Sequence, residues 1–190
     1  MTAAFLLLAT FATAFISGVF GMAGGLILMG ALALVLPVSS AMVVHGVIQS
    51  VSNGWRAVLH VSWIDLRILA IYLAGSALAA GVLVFASFEL SEAWLFILLG
   101  LVPAVVWLPK RVLHLDADKP HHAVACGFVV TGLNVVAGVS GPLLDVFFAN
   151  TLKDRRTVVA TKAATQVISH GVKIAYYILP ALGSQDLPSL

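Results

Sequence analysis

Charged residues are scarce in this chain of 190 residues. Lysine, arginine, aspartate and glutamate make up 9% of the sequence, whereas a soluble domain carries about 25%. No charged side chain occurs before Arg56, and 61% of the residues are hydrophobic. This composition excludes an ordinary soluble domain and predicts a polytopic protein of the lipid bilayer. The net charge of +2 gives no reason to expect a nucleic-acid partner.

Cysteine and clusters of metal ligands are scarce as well. The single cysteine, Cys126, lies in an apolar run, so the chain cannot form an intrachain disulfide. The six histidines show neither the His-x₃-His spacing nor the carboxylate clusters of a metal site. We therefore expect no metal site and no cofactor.

The long apolar run at the N-terminus lacks the basic residues that begin a signal peptide. It continues into further apolar sequence as far as Pro37, and we therefore expect it to remain in the protein. A spanning helix needs about 20 apolar residues. The run is too long for one span and is expected to contain a break.

What the chain does have is a glycine cluster, Gly18–Gly25, that recurs 117 residues later. The offset carries Gly21 to Gly138 and Gly24 to Gly141. Four further pairs share it: Gln49 and Gln166, Ser52 and Ser169, Gly54 and Gly171, and Arg56 and Lys173. Apolar matches are expected by chance in so apolar a chain, but these polar and glycine matches indicate an internal duplication.

The duplication predicts a first transmembrane repeat over residues 1–110, a cytoplasmic linker over 111–120 and a second repeat over 121–190. Each repeat opens on a glycine-broken segment, with the breaks at Gly21–Gly25 and Gly138–Pro142. The expected helices span about 3–20, 24–36, 38–60, 66–86, 93–109, a broken pair within 121–150, and 157–180. The sequence stops where the counterpart of the third helix would begin, so we expect the second repeat to be truncated.

Lysine and arginine in short loops predict the orientation in the membrane. The linker over 111–120 and the loop over 152–156 are basic, so both are expected on the cytoplasmic side. The broken segment between them begins and ends on that side, as a re-entrant hairpin does. Three crossings in each complete repeat then invert the second copy, which is a common transporter plan. The expected fold is an all-α, polytopic membrane protein with an inverted repeat.

Two polar stripes lie on corresponding helices of the copies. Residues three and four apart share one face of a helix. The first stripe contains His45, Gln49, Asn53 and Arg56, and the second contains Lys162, Gln166, His170 and Lys173. Because polar groups are costly in lipid, the stripes are expected to face protein or water. They predict a central anion path, with hydrogen bonding between helices as the alternative.

The glycine breaks suggest a second element of an anion site. An unwound segment exposes backbone amides, and the helix that follows has a partial positive charge at its N-terminus. The candidate residues are Gly21, Gly24, Gly25, Gly138 and Gly141. The alternative for any single glycine is a close crossing of two helices.

Asp145 is the only acidic residue inside an apparent apolar span. It is expected to pair with Lys162 or Lys173, or to take part in proton coupling. Its counterpart in the first copy is Leu28, so the duplication does not explain it.

A hypothesis from another class comes from the sequence Gly138-Val-Ser-Gly141. Glycine residues around a serine, followed by a later histidine, are typical of rhomboid-type intramembrane proteases. Ser140 would then be the nucleophile and His170 its base. The duplication accounts for both residues without catalysis, because Ser140 corresponds to Ala23 and His170 to Asn53.

The chain resembles the TauE/SafE sulfite exporter family. The resemblance rests on the segment Gly21–Gly25, the turn Pro37–Ala41, the segment Gly138–Pro142, the run Thr161–Ala163 and the stretch Ser169–Lys173. It implies a multi-pass permease of the bacterial inner membrane that moves sulfite, sulfonates and related organosulfur anions. Members of the family carry a complete second half, and they are not enzymes.

The sequence and the resemblance together predict a transporter of small anions that binds its substrate at the paired breaks and stripes. Gln49, Asn53, Gln166 and His170 would donate hydrogen bonds, while Arg56 and Lys173 would set the preference for anions. A permease for another small solute is the alternative within the class. The sequence leaves open the substrate, the driving ion or potential, and whether copies associate as a homo-oligomer.

Overall fold

The structure is a computed structural model that describes residues 2–20, 23–86, 91–107 and 115–184. Within these ranges the chain is helical and has no strand, which confirms the all-α class. Its α-helices are α1 (Thr2–Phe20), α2 (Ala23–Ala33), α3 (Val38–Leu59), α4 (Leu66–Ala86), α5 (Glu92–Leu101), α6 (Pro120–Ala137), α7 (Gly141–Phe148) and α8 (Arg155–Ser184). Two short 3-10 helices lie at Val61–Trp63 and Val102–Trp107.

The second predicted break is present between α6 and α7. Helix α6 ends at Ala137, and Gly138 follows with φ 74°, a left-handed conformation that glycine adopts without a steric penalty. Helix α7 begins at Gly141, with Pro142 in its first turn. Proline is tolerated there because the N–H groups of a first turn have no hydrogen-bond partner within the helix. Near the first predicted break, α1 ends at Phe20 and α2 begins at Ala23. Gly21 lies outside the described residues.

Two expected helix ends are wrong. The α-helix predicted over 93–109 stops at Leu101 and continues as a 3-10 helix, because Pro103 has no N–H for the α-helical hydrogen bond. Helix α2 ends at Ala33 rather than near residue 36, and a turn leads from it to Pro37.

The helices are arranged around two close pairs. Helix α4 packs along α6, and α3 packs along α8. One apolar core joins α2, α3 and α5 and includes Met29, Met42 and Leu95, all fully buried. A second core joins α4, α6 and α7 and includes the buried side chains of Tyr72 and Leu144. The site described below lies where the α3 and α8 pair meets the two breaks.

Several helix boundaries recur at the offset of the sequence duplication. The last residues of α1 and α6, Phe20 and Ala137, are 117 positions apart. The first residues of α3 and α8, Val38 and Arg155, are separated by the same number of positions in the sequence. The division into two repeats, the inversion of the second copy and its truncation stay predictions.

Two described helices, Leu66–Ala86 and Pro120–Ala137, are long and apolar enough to cross a membrane. Shorter apolar helices cover Phe5–Ile16, Gly24–Ala33 and Glu92–Ala104. Large apolar side chains are also exposed on the outer surfaces, such as Phe85 with 93% of its surface accessible. Because exposed apolar side chains are favourable in contact with lipid, these surfaces face the bilayer. The chain is a helical membrane protein.

Three polar segments meet at Lys153, and two of them, 111–120 and 152–156, are the segments that the sequence assigns to the cytoplasmic side. Its ammonium group forms ion pairs with Asp65 at 2.9 Å and with Asp118 at 3.2 Å. Burial opposes the ionisation of Asp65, but hydrogen bonds from Lys153 and the Ile68 amide outweigh it and hold the pKa of Asp65 below its ordinary value. The same bonds to Asp65 and Asp118 raise the pKa of Lys153. The ion pairs connect the loop before α4, the segment before α6 and the loop before α8.

Replacing Lys153 with glutamine is expected to lower stability by about 1 kcal/mol, since both ion pairs are partly exposed. The lowered pKa of Asp65 means that its contribution is present above pH 3.8 and is lost as the pH falls through the folded-state pKa. The raised pKa of Lys153 means that its contribution is present below pH 10.5 and is lost as the pH rises further. The measurement is the melting temperature of wild type and Lys153→Gln in detergent, determined across this pH range.

The matched control is Lys119→Gln, which changes an exposed lysine that forms no ion pair with any described residue. A difference in melting temperature between wild type and Lys153→Gln that is the same at pH 3 as at neutral pH would show that the ion pair with Asp65 does not stabilise the protein.

Candidate functional site

A pocket lies between the N-terminal ends of α2 and α7 and the facing sides of α3 and α8. Its walls contain seven of the residues predicted from the sequence: Gly25, Gln49, Asn53, Arg56, Gly141, Gln166 and His170. They also contain five residues outside that prediction: Leu26, His45, Val139, Ser140 and Pro142. No aspartate or glutamate is among these twelve residues.

The two polar stripes reach the pocket because α3 packs along α8. Gln49, Asn53 and Arg56 follow one another at spacings of four and three on α3, so they share a face. Gln166 and His170 do the same on α8. Side chains from the two stripes thus meet across one cavity.

Hydrogen bonds order the part of the pocket that α3 contributes. The amide Nδ2 of Asn53 donates to the Gln49 carbonyl oxygen at 2.9 Å. Arg56 donates from Nη1 to Asn53 Oδ1 at 3.3 Å. Arg56 has no ion-pair partner in the described part of the chain. Its positive charge is therefore directed to the pocket without being neutralised there.

Two buried groups of the opposite wall have no hydrogen-bond partner among the described residues. They are the hydroxyl of Ser140 and the side-chain Nε2 of Gln166. The two side chains are 2% and 3% exposed, and both line the pocket. Leaving a buried donor unpaired costs about 1–3 kcal/mol. A ligand with acceptor atoms would satisfy both groups.

Behind the pocket, a chain of hydrogen bonds joins the first turn of α2 to Gly138, which follows α6. His45 Nε2 bonds to the Gly25 carbonyl oxygen at 2.8 Å, and a carbonyl can only accept, so Nε2 is the donor. His45 Nδ1 is then the acceptor for Lys173 Nζ at 2.8 Å. Lys173 also donates to the Gly138 carbonyl oxygen at 2.9 Å. The residue corresponding to Arg56 by sequence thus lies behind the wall and does not line the cavity.

His170 is held by a second polar group that the sequence did not indicate. Asn134 Nδ2 bonds to Ser169 Oγ at 2.8 Å and to His170 Nδ1 at 3.2 Å. The rings of His170 and His45 meet edge to face, with their centroids 5.5 Å apart. Asn134 is an isolated polar residue in the apolar second half of α6 apart from Thr131, and a serine, Ser17, stands at its position in the first copy, so neither the helical spacing nor the repeated residues marked it as part of the site.

The remaining predicted site residues lie elsewhere. Gly24 is buried in the first turn of α2 without lining the pocket, and Gly138 caps α6. Asp145 forms an ion pair with Lys162, which decides between its two predicted partners. Gly21 lies outside the described residues.

His45 belongs to the α3 stripe but was left out of the predicted binding residues. The signal that could have found it is its spacing of four residues from Gln49, which places both on one face. Ser140 and Pro142 lie within the predicted break Gly138–Pro142, and that position in the sequence could have identified them as lining residues. Only the protease hypothesis had assigned Ser140 a role.

The arrangement of Ser140 does not support proteolysis. Its hydroxyl has no hydrogen bond to His170 or to any other described residue, and His170 Nδ1 is engaged by Asn134. A nucleophilic serine needs a base within hydrogen-bond reach. Among the described residues there is also no group of three or more His, Cys, Asp or Glu that could hold a metal ion.

An apolar helical chain in which two helix breaks and two polar stripes enclose a positively charged pocket has the architecture of a membrane transporter. The model of the sulfite exporter TauE/SafE family matches residues 6–190. The chain belongs to this family, which consists of transporters and not of enzymes. No significant match is found among curated proteins or among solved structures.

Proposed function

We propose that the protein transports small oxyanions, namely sulfite or organosulfur anions such as sulfonates, across the bacterial inner membrane as a multi-pass permease. The observation that carries the proposal is the chemistry of the pocket. Among the described residues, Arg56 has no ion-pair partner, the buried donors Ser140 Oγ and Gln166 Nε2 have no hydrogen-bond partner, and no carboxylate lines the pocket.

Each wall has a separate role in this proposal. Arg56 provides the permanent positive charge, because a guanidinium group does not lose its proton in a protein. Gln166 and Ser140 donate hydrogen bonds to the oxygens of a sulfonate or sulfite group. The N-terminal ends of α2 and α7 add partial positive charge at Gly25 and Gly141.

The pocket also supports an alternating-access mechanism. It lies at the contact between α3 and α8, the corresponding helices of the two predicted repeats. In transporters built from inverted repeats, one repeat rocks against the other around a site at their interface. Motion of α3 relative to α8 would then open the pocket to each side of the membrane in turn.

The test is anion flux into proteoliposomes that contain the full chain, with sulfite, sulfoacetate and sulfate compared. Gln49→Ala and Gln166→Ala are each expected to reduce flux of the preferred anion about tenfold or more, since a hydrogen bond to a charged group contributes about 1.5–3 kcal/mol. Thr165→Val is the matched control. It alters a buried hydroxyl of α8 that bonds to the Lys162 carbonyl oxygen and does not line the pocket.

Undiminished flux in both glutamine variants would show that the stripes hold the helices together, and the site would then be confined to the ends of α2 and α7. A wild-type protein that moves a carboxylate or an uncharged solute, but none of the sulfur anions, would overturn the proposed substrate class.

A further inference from the structure

We propose that His45 and Lys173 form a proton-carrying pair, so that each transported anion moves together with one proton. This inference rests on the proposed anion site and adds the driving ion to it. His45 lines the pocket, whereas Lys173 lies behind it in contact with His45 Nδ1.

The pair is buried without a compensating anion. Lys173 is 0% exposed and His45 is 1% exposed. The two hydrogen-bond acceptors of the ammonium group are an imidazole nitrogen and the Gly138 carbonyl oxygen, neither of which is an anion. In the described ranges no carboxylate lies within ion-pair distance of Lys173. A buried charge without a counter-charge is strongly disfavoured.

The other titratable groups near the pair do not provide the missing negative charge. On α3 and α8 and on the helices that pack against them, the described groups are Arg56, Arg67, Tyr72, His121, His122, Cys126, Asp145, Arg155, Arg156, Lys162, His170, Tyr176 and Tyr177. Asp145 is the one carboxylate among them, and it is already paired with Lys162. The phenols and the thiol are uncharged at neutral pH in their reference state. Arg56 adds a further positive charge.

An anion in the pocket would supply the negative charge that the protonated pair lacks. Anion binding is therefore tighter when the pair carries its proton, and by linkage the proton is held more tightly when the anion is bound. The two ligands bind and leave together. Arg56 cannot serve as the variable charge because its guanidinium stays protonated.

The hydrogen bonds provide a route for the proton. Lys173 Nζ transfers a proton to His45 Nδ1. The Nε2–H bond to the Gly25 carbonyl oxygen then breaks, and Nε2 gives its proton to a water molecule in the pocket instead. Lysine is left as a neutral amine that accepts from Nδ1–H, and the imidazole is left neutral in its other tautomer. One proton has left the pair, and the reverse sequence reloads it.

The experiment uses proteoliposomes with radiolabelled methanesulfonate, an anion of a strong acid that cannot itself carry a proton at neutral pH. Two readouts are compared: accumulation driven by an acidic exterior, and exchange of labelled for unlabelled anion at equal pH. With one proton per monovalent anion, a gradient of one pH unit is expected to give about tenfold accumulation.

With exchange measured at saturating anion, so that weaker binding does not limit it, Lys173→Met and His45→Gln are each expected to reduce accumulation at least ten times more than they reduce exchange. Exchange at saturation requires no net release of the proton. Lys119→Met is the control, since this exposed lysine is remote from the pocket lining. Elution as a single folded species in detergent is required of every variant.

The outcomes separate the two proposals. Absence of exchange in the wild type for every sulfur anion would overturn the proposed function itself. Exchange in the wild type without accumulation under a pH gradient would overturn proton coupling alone. Variants that still accumulate the anion, or that lose exchange and accumulation equally, would show that the pair does not carry the proton.

Discussion

Replacing Gly127 with alanine is expected to destabilise the protein by more than about 3 kcal/mol, the upper part of the range for overpacked cores. At this crossing of α4 and α6, a Cβ on Gly127 would collide with the Tyr72 carbonyl oxygen and lie 3.0 Å from the Ser76 amide nitrogen. Gly75 faces the same crossing from α4, where a Cβ would collide with the Val124 carbonyl oxygen. All of these are backbone atoms, which cannot rotate away.

The helices would have to move apart, and the polar contacts at the crossing would be lost with them. Ser76 Oγ lies 2.8 Å from Thr131 Oγ1, and Tyr72 OH lies 3.3 Å from the same atom. Small residues that let helix backbones approach closely are a main source of helix association in membranes. The measurement is thermal unfolding in detergent, followed by size-exclusion chromatography.

Gly132→Ala in α6 and Gly81→Ala in α4 are the matched controls. No atom lies within 4 Å of the position that a Cβ would take at either residue. Both variants are expected to be as stable as wild type or up to about 1 kcal/mol more stable, since alanine favours a helix over glycine. Equal melting temperatures for Gly127→Ala and Gly132→Ala would contradict a close backbone contact between α4 and α6 at Gly127.

Replacing Arg56 with glutamine is expected to reduce anion flux about 100-fold at limiting substrate concentration. Arg56 is the only lysine or arginine among the residues that line the pocket, and no described carboxylate pairs with it. Arg56 is half-buried, and a hydrogen bond from its guanidinium to a charged ligand contributes about 1.5–3 kcal/mol, the upper end of which corresponds to about 100-fold. Because the positive charge would act on the bound anion, the loss is expected chiefly in KM.

Arg56→Lys keeps the charge and is expected to retain flux about tenfold above that of Arg56→Gln, since it loses only the planar guanidinium geometry. The control is Arg67→Gln, which removes an exposed arginine from the first turn of α4, outside the pocket. A KM for methanesulfonate in Arg56→Gln equal to that of the wild type would exclude Arg56 from the anion site.

Several features of the fold follow from local chemistry and could be predicted. The scarcity of charge predicts a membrane protein because lipid does not solvate ions. The break after α6 follows from Gly138, whose left-handed backbone conformation any other residue adopts at a cost. The shared face of Gln49, Asn53 and Arg56 follows from the helical period alone.

The fine limits of helices were less predictable. Pro103 was expected to lie within a continuous helix, yet the chain changes to a 3-10 helix one residue before it. A proline inside an apolar stretch either kinks the helix or ends its α-helical hydrogen bonding. Which outcome occurs depends on the surrounding contacts, here including those with α7 and α5.

The sequence by itself determined the class of the protein, the second break and the faces that carry polar residues, because these depend on composition and on neighbours a few positions apart. Only the tertiary structure decided the locations of Arg56 and Lys173, which occupy equivalent positions in the predicted duplication. Arg56 lines the pocket, whereas Lys173 is bonded to His45 and Gly138 behind it. Their difference arises from contacts between residues 35 or more positions apart, and no local pattern records such contacts.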